Sequence, residues 1–190
     1  MKIEIETTHI ENVCFVHPQV FRDERGFFME VFRQDVWKEA GLDLDIVQAN
    51  HSRSTKNVVR GLHFQWEPPM GKLMRVTRGE AFLVAVDIRK NSPTLGKWVG
   101  RVLAEETPQF FWAPAGCARG FAVISDEAEI QYLTTGTYNG DAESGILWND
   151  PEIGIEWPID DPILSDKDRR QQTLREWLDR DSAARFTAQF

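Results

Sequence analysis

The chain has 190 residues, 42% of them hydrophobic, which suits a single domain over 1–190 with a sizeable core. Its formal net charge of −8 excludes a surface built to bind nucleic acid and requires any phosphate site to be made by local Arg and Lys against the global field. Two cysteines, Cys14 and Cys117, supply neither a disulfide framework nor a metal motif, and no apolar run nears the roughly 20 residues that span a bilayer, so the expectation is a cytoplasmic protein with no membrane partner.

The N-terminal segment Met1-Lys2-Ile3-Glu4-Ile5-Glu6 alternates apolar and charged residues and reads as a strand rather than a signal peptide. Gln34 to Ala40 is predicted as a short helix ended by Gly41. In an extended Arg60-Gly61-Leu62-His63-Phe64-Gln65, His63 and Gln65 share a face with Gly61, whereas Arg60, Leu62 and Phe64 point the other way. If His63 faces a cavity, Arg60 reaches a ligand only through a bulge, a strand end or a partner subunit. Phe82, Val84, Val86 and Ile88 alternate with Leu83, Ala85, Asp87 and Arg89, and Ile130, Tyr132 and Thr134 repeat the pattern. Turn signals recur at Arg78-Gly79-Glu80, Ser92-Pro93-Thr94, Pro114-Ala115-Gly116 and Tyr138-Asn139-Gly140. Arg170 to Arg180 is predicted as a second helix, with Leu174, Trp177 and Leu178 on one face. Many short strands with few helices point to a mainly β barrel or jelly roll that holds its ligand in the mouth or interior.

Residue chemistry alone leaves two readings open for each candidate. A lone histidine such as His63 in an apolar strand is ordinarily a satisfied core residue, yet imidazole titrates near neutral pH and serves as a base. Tyr132 is a core tyrosine or a phenolic acid. Lys72 is a solvated lysine after the Pro68-Pro69-Met70-Gly71 turn or a stabiliser of an oxyanion. Asp168 is an acid at a helix N-terminus or the orienter of a histidine.

Four segments in order, Val47-Gln48-Ala49-Asn50-His51-Ser52, Arg60 to Gln65 with Gly71-Lys72-Leu73, Val86-Asp87-Ile88-Arg89-Lys90-Asn91-Ser92-Pro93-Thr94, and Leu164-Ser165-Asp166-Lys167-Asp168, decide among these readings. Together they resemble the dTDP-4-dehydrorhamnose 3,5-epimerase family of cupin sugar-nucleotide epimerases, over about Phe21 to Asp168. The resemblance implies a double-stranded β-helix (the cupin jelly roll) with a few short helices near its ends. It implies a cofactor-free and metal-free epimerase of a nucleoside-diphospho-4-keto-6-deoxyhexose, the parent reaction inverting C3 and C5 of dTDP-4-dehydro-6-deoxyglucose. It gives His63 the role of base with Asp168 behind it, Tyr132 that of acid, and Lys72 that of enolate stabiliser. It places Arg25, Glu30, Gln48, Asn50, Arg60, Tyr138 and Lys167 against the substrate, and leaves open whether Phe21, Phe27 or Phe28 stacks on the base. It also implies a homodimer paired through N-terminal strands. Cupin metal sites use a cluster of histidines, and this chain does not group its own that way.

Two positions depart from the family. Its usual Gly-Phe-Ala-His-Gly-Phe is here Gly116-Cys117-Ala118-Arg119-Gly120-Phe121, and its usual Phe-Asp-Val-Ala-Val-Asp is here Phe82-Leu83-Val84-Ala85-Val86-Asp87. A second His–Asp pair is therefore lost as a unit, which avoids an unpaired buried acid. Arg119 cannot act as a base, but it can hold a substrate oxygen. Inversion at one carbon only, and a non-catalytic sugar-nucleotide binder, are the alternative readings.

Overall fold

The computed structural model describes residues 2–187. Met1, at the head of the alternating N-terminal segment, and residues 188–190 of the expected domain lie outside the described residues. The strands are β1 (Ile3–Thr7), β2 (Cys14–Pro18), β3 (Val20–Asp23), β4 (Gly26–Met29), β5 (Gln48–Thr55), β6 (Val59–Gln65), β7 (Lys72–Arg78), β8 (Glu80–Asp87), β9 (Trp98–Ala104), β10 (Phe110–Ala113), β11 (Cys117–Val123), β12 (Glu127–Thr134) and β13 (Glu143–Gly145). One antiparallel sheet has the order β1-β2-β10-β7-β12-β5, and a second has the order β13-β6-β11-β8-β9. The two pack face to face as the expected mainly β jelly roll. Strands β3 and β4 pair only with each other, as a hairpin outside both sheets.

The alternation of β8 explains the layering. Successive side chains on a strand point to opposite faces, so one strand can feed two cores. Leu83 and Ala85 enter the core between the sheets, with Phe15, Met74, Phe111, Phe121 and Ile130. Phe82, Val84 and Val86 enter a second core on the outer face, with Phe64, Trp177 and Phe186. A third core, around Val16, Leu73, Phe110 and Trp112, backs the six-stranded sheet and is covered by Trp37. Trp37 lies on α1 (Gln34–Glu39), whose end at Ala40 and Gly41, with φ +99° at the glycine, agrees with the sequence reading.

The C-terminal helix is shorter than expected. Residues 170–180 are not one helix: α2 (Asp166–Arg169) precedes them, and α3 covers only Leu174–Leu178. Gln172 is drawn into a bridge with Ile146, and Thr173 then opens α3 with a capping box to Glu176. The apolar face was legible all the same, since Leu174 and Trp177 are buried.

The motif Val86 to Thr94 serves the fold rather than a ligand. Asp87 is fully buried and accepts bonds from Arg89 Nε at 2.9 Å, Ser92 Oγ at 2.5 Å and Thr94 Oγ1 at 2.7 Å. Burial alone would raise its carboxyl, but these donors outweigh burial and hold it below the usual range. No helix among the described residues is long and apolar enough to cross a membrane.

Candidate active site

A cavity of about 210 Å³ lies between the sheets. β6 and β11 contribute Arg60, His63, Arg119 and Phe121 to its wall, and β5, β7 and β12 contribute Ser52, Lys72, Met74, Ile130 and Tyr132. His63 and Tyr132 therefore stand on facing sheets with the cavity between them.

Arg60 lines the same cavity as His63, which simple alternation forbids. Its pairing with β11 explains this. Arg119 is opposite His63 and Phe121 is opposite Arg60, so two residues of β6 face one residue of β11. This is a β-bulge, one of the three routes open to Arg60 from the sequence. Gly61 sits in it at φ +130°, and a Cβ there would meet Gly120 Cα at 2.6 Å. Only glycine allows that approach. Arg60 Nε donates to Ser54 Oγ at 3.0 Å, which aims the guanidinium.

The dyad implied for His63 forms. His63 Nε2 lies 2.6 Å from Asp168 Oδ1, across 105 residues of sequence. Asp168 is 3% exposed, and its other oxygen accepts from Ser165 Oγ at 2.9 Å. Ser165 in turn caps α2 by accepting from the Asp168 amide. One side chain thus stands both at a helix N-terminus and against His63. Burial would raise this carboxyl, but His63 and then Ser165 outweigh it and hold it below the usual range.

Tyr132 is partly buried, and burial keeps its phenol above the ordinary value and hence protonated. The Lys72 ammonium lies 5.2 Å from the centre of the Tyr132 ring. Burial, and then the Arg119 charge, brings Lys72 down to about 7.

Gln48, Asn50, Tyr138 and Lys167 gather at the rim. Gln48 Nε2 donates to Asn50 Oδ1 at 3.0 Å, and Gln48 Oε1 accepts from the Tyr138 amide at 2.9 Å. Lys167 Nζ contacts Glu143 Oε2 at 2.5 Å, and the Tyr138 hydroxyl donates to the same oxygen at 3.3 Å. Glu143 had no sequence signal, being one acid after a turn. Gln65 did have one, since alternation put it on the face of His63. It is 2% exposed and spans the loop that carries Tyr138: its Nε2 donates to Pro68 O and Thr137 O at 3.0 Å each, and its Oε1 accepts from the Asn139 amide at 2.8 Å.

Arg25, Phe28 and Glu30 are not brought to this cavity. Arg25 and Phe28 lie on the β3–β4 hairpin, where Arg25 is paired with Asp23 and Phe21, Phe27 and Phe28 are 51%, 54% and 68% exposed. Glu30, just beyond it, pairs with Arg33 at 3.3 Å.

Arg119 is almost fully buried, and its terminal nitrogens are committed to backbone. Nη1 donates to Met70 O, Pro114 O and Cys117 O at 3.0, 3.2 and 2.8 Å, and Nη2 donates to Met70 O at 2.7 Å. Nε alone is buried without a partner among the described residues. Leu83 is fully buried in the core between the sheets. Among the described residues, no three His, Cys, Asp or Glu side chains cluster as metal ligands.

This arrangement can take a proton from one face of a bound ring, hold a forming oxyanion and return a proton from the other face. The comparisons with known proteins agree with that chemistry. The family model for dTDP-4-dehydrorhamnose 3,5-epimerase matches residues 7–176. The dTDP-4-dehydrorhamnose 3,5-epimerase of Shigella flexneri is 56% identical over 163 residues, covering 85% of this chain and 90% of its own. That of Methanothermobacter thermautotrophicus is 49% identical over 172 residues, covering 89% and 93%. Among solved structures, the dTDP-6-deoxy-D-glucose-3,5-epimerase of Legionella pneumophila Philadelphia 1, in complex with dTDP-4-keto-L-rhamnose, superposes with a TM-score of 0.93 at 40% identity over 100% of both chains. With a family model that matches residues 7–176 of its 190, the chain belongs to the dTDP-4-dehydrorhamnose 3,5-epimerase family.

Proposed function

We propose that the protein is an isomerase that inverts C3 and C5 of dTDP-4-dehydro-6-deoxyglucose, without a cofactor. The observation that carries this reading is the His63–Asp168 pair at 2.6 Å, facing Tyr132 across one cavity. A proton beside the C4 ketone is acidic because its loss gives an enolate. His63 takes that proton, and Asp168 stabilises the imidazolium that forms and fixes the ring. Lys72 supplies positive charge where the ketone oxygen gains negative charge, on the cavity wall beside Tyr132. Tyr132, protonated and on the opposite sheet, returns a proton from the other face, and the configuration inverts.

The nucleotide end is assigned to the rim. Gln48, Asn50, Arg60, Tyr138 and Lys167 hold it there, with the planar guanidinium of Arg60 suited to a diphosphate. Arg25, Phe28 and Glu30 complete the site of a second copy. The β3–β4 hairpin exposes three phenylalanines and belongs to neither sheet, so a dimer covers it and brings Arg25 to the partner's rim. β1 is one edge of the six-stranded sheet and can extend it toward that copy. The chain works as one domain, in the cytoplasm, where its buried thiols Cys14 and Cys117 stay reduced.

The test is solvent-deuterium incorporation at C3 and C5 of dTDP-4-dehydro-6-deoxyglucose, followed by NMR. Incorporation at both carbons with inversion is the expected result. Incorporation at one carbon identifies a single-centre epimerase, and binding without incorporation identifies a non-catalytic binder.

A further inference from the structure

We infer that Lys72 is a general acid to the ketone oxygen of the substrate, and that Arg119 is the positioning residue that puts it in that role. The inference rests on the functional reading above and changes what Lys72 does within it.

Three features of the cavity carry it. First, Arg119 has no carboxylate partner. Its guanidinium is spent on the carbonyls of Met70, Pro114 and Cys117, and its cross-strand neighbours, Ala85 on β8 and His63 on β6, bring no carboxylate to it. The charge is therefore solvated by dipoles but not neutralised, and Met70 O, its closest acceptor, lies two residues before Lys72. Second, Lys72 Nζ makes no hydrogen bond or ion pair among the described residues. The one acid that faces it, Glu143, is already in contact with Lys167 Nζ at 2.5 Å. Third, Lys72 lines the cavity beside the Tyr132 ring. The charged and titratable groups around it are Arg60 and His63 from β6, Arg119 from β11, Tyr132 from β12, Glu143 from β13 and Lys167 from α2. Cations dominate that set, and a buried ammonium among cations gives up its proton readily. Its lowered value of about 7 agrees. Arg119 itself stays charged, because burial lowers it only to about 10.

The step balances as follows. His63 takes the proton from the carbon beside the ketone, and the C–H electron pair becomes a double bond to C4. The carbonyl π pair moves to the oxygen, which takes a proton from Lys72 Nζ. The products are an imidazolium, a neutral enol and a neutral amine. In the second half the enol proton returns to Lys72, the carbonyl reforms, and the carbon takes its proton from Tyr132. The tyrosinate and the imidazolium then exchange protons through solvent, which restores the starting state.

The test separates a proton donor from a fixed cation. Arginine keeps its charge at every accessible pH but cannot give up a proton. Lys72→Arg should therefore lose about 10²-fold or more in the rate of deuterium exchange while dTDP still binds. In the unmodified protein, kcat/KM for exchange should fall above pH about 7, the value of the free-enzyme ammonium. Arg119→Met should move that alkaline limb upward by about one pH unit. Because Arg119 is buried, its variant risks misfolding, so NMR titration of the Lys72 side chain in unmodified protein is the second measurement, with a midpoint near 7 expected. Lys72→Arg within tenfold of the unmodified rate would overturn the inference. So would an alkaline limb unmoved in folded Arg119→Met, or a Lys72 midpoint near 10. No exchange at all in the unmodified protein would sink the functional reading itself, a failure distinct from these.

Discussion

Asp168→Asn isolates the role of the orienting carboxylate, because it keeps the size of the side chain and removes its charge. The structure sets the magnitude. Asp168 Oδ1 is 2.6 Å from His63 Nε2, and the carboxylate is 3% exposed. Opposite unit charges with centres roughly 4 Å apart, at an effective dielectric near 20, interact by about 4 kcal/mol. That attraction exists only once His63 has taken the proton, so the variant should lose about a thousandfold in exchange rate. The Ser165 contact and the cap of α2 survive in the amide, so the fold should persist with a loss of about 1.5–3 kcal/mol for one charge-assisted bond. The pH dependence has a defined sign. The folded carboxyl is held below its unfolded value of about 3.9, so its contribution is present above that pH and fades as pH falls through the folded value. The variant should lack that acid-side loss. The assay is deuterium incorporation by NMR at saturating substrate, with dTDP affinity measured alongside. An exchange rate within tenfold of the unmodified protein, with dTDP affinity intact, would refute a part for Asp168 in proton removal.

Tyr132→Phe should let His63 still remove the proton but block its return from the opposite face, so deuterium should enter with retained configuration; inversion at the unmodified rate would make Tyr132 a wall residue only. Gln65→Met removes three hydrogen bonds, two of them to the loop that carries Tyr138 and one to Pro68 O, and should raise KM about tenfold with a smaller fall in kcat, whereas Gln65→Glu, which keeps the bond from Asn139, should recover part of the affinity. An equal loss of kcat and kcat/KM would place Gln65 in the chemistry instead. Light scattering at micromolar concentration should give twice the chain mass, and Phe28→Asp on the exposed hairpin should shift it toward the monomer; a monomer mass for the unmodified protein would contradict the dimer.

Much of the architecture was legible because strands and caps are local. The alternation through Phe82 to Arg89 named both faces of β8, and Gly41 marked the end of α1. The helix expected over 170–180 failed at its start because Gln172 bridges to Ile146, a partner that local spacing does not reveal. The base motif and the dyad were read from resemblance, and the close His63–Asp168 contact accords with it.

By itself, the sequence determined which strands alternate and which residue types are available for proton transfer. Only the tertiary structure decided where those side chains point. A one-residue bulge opposite Gly120 turns Arg60 into the cavity of His63, and long-range pairing brings Glu143 to Lys167 and spends the Arg119 guanidinium on three carbonyls. The physical reason is that side-chain direction in a sheet has a period of two, so one extra residue reverses it, and the partner that forces the bulge lies about sixty residues away in the chain.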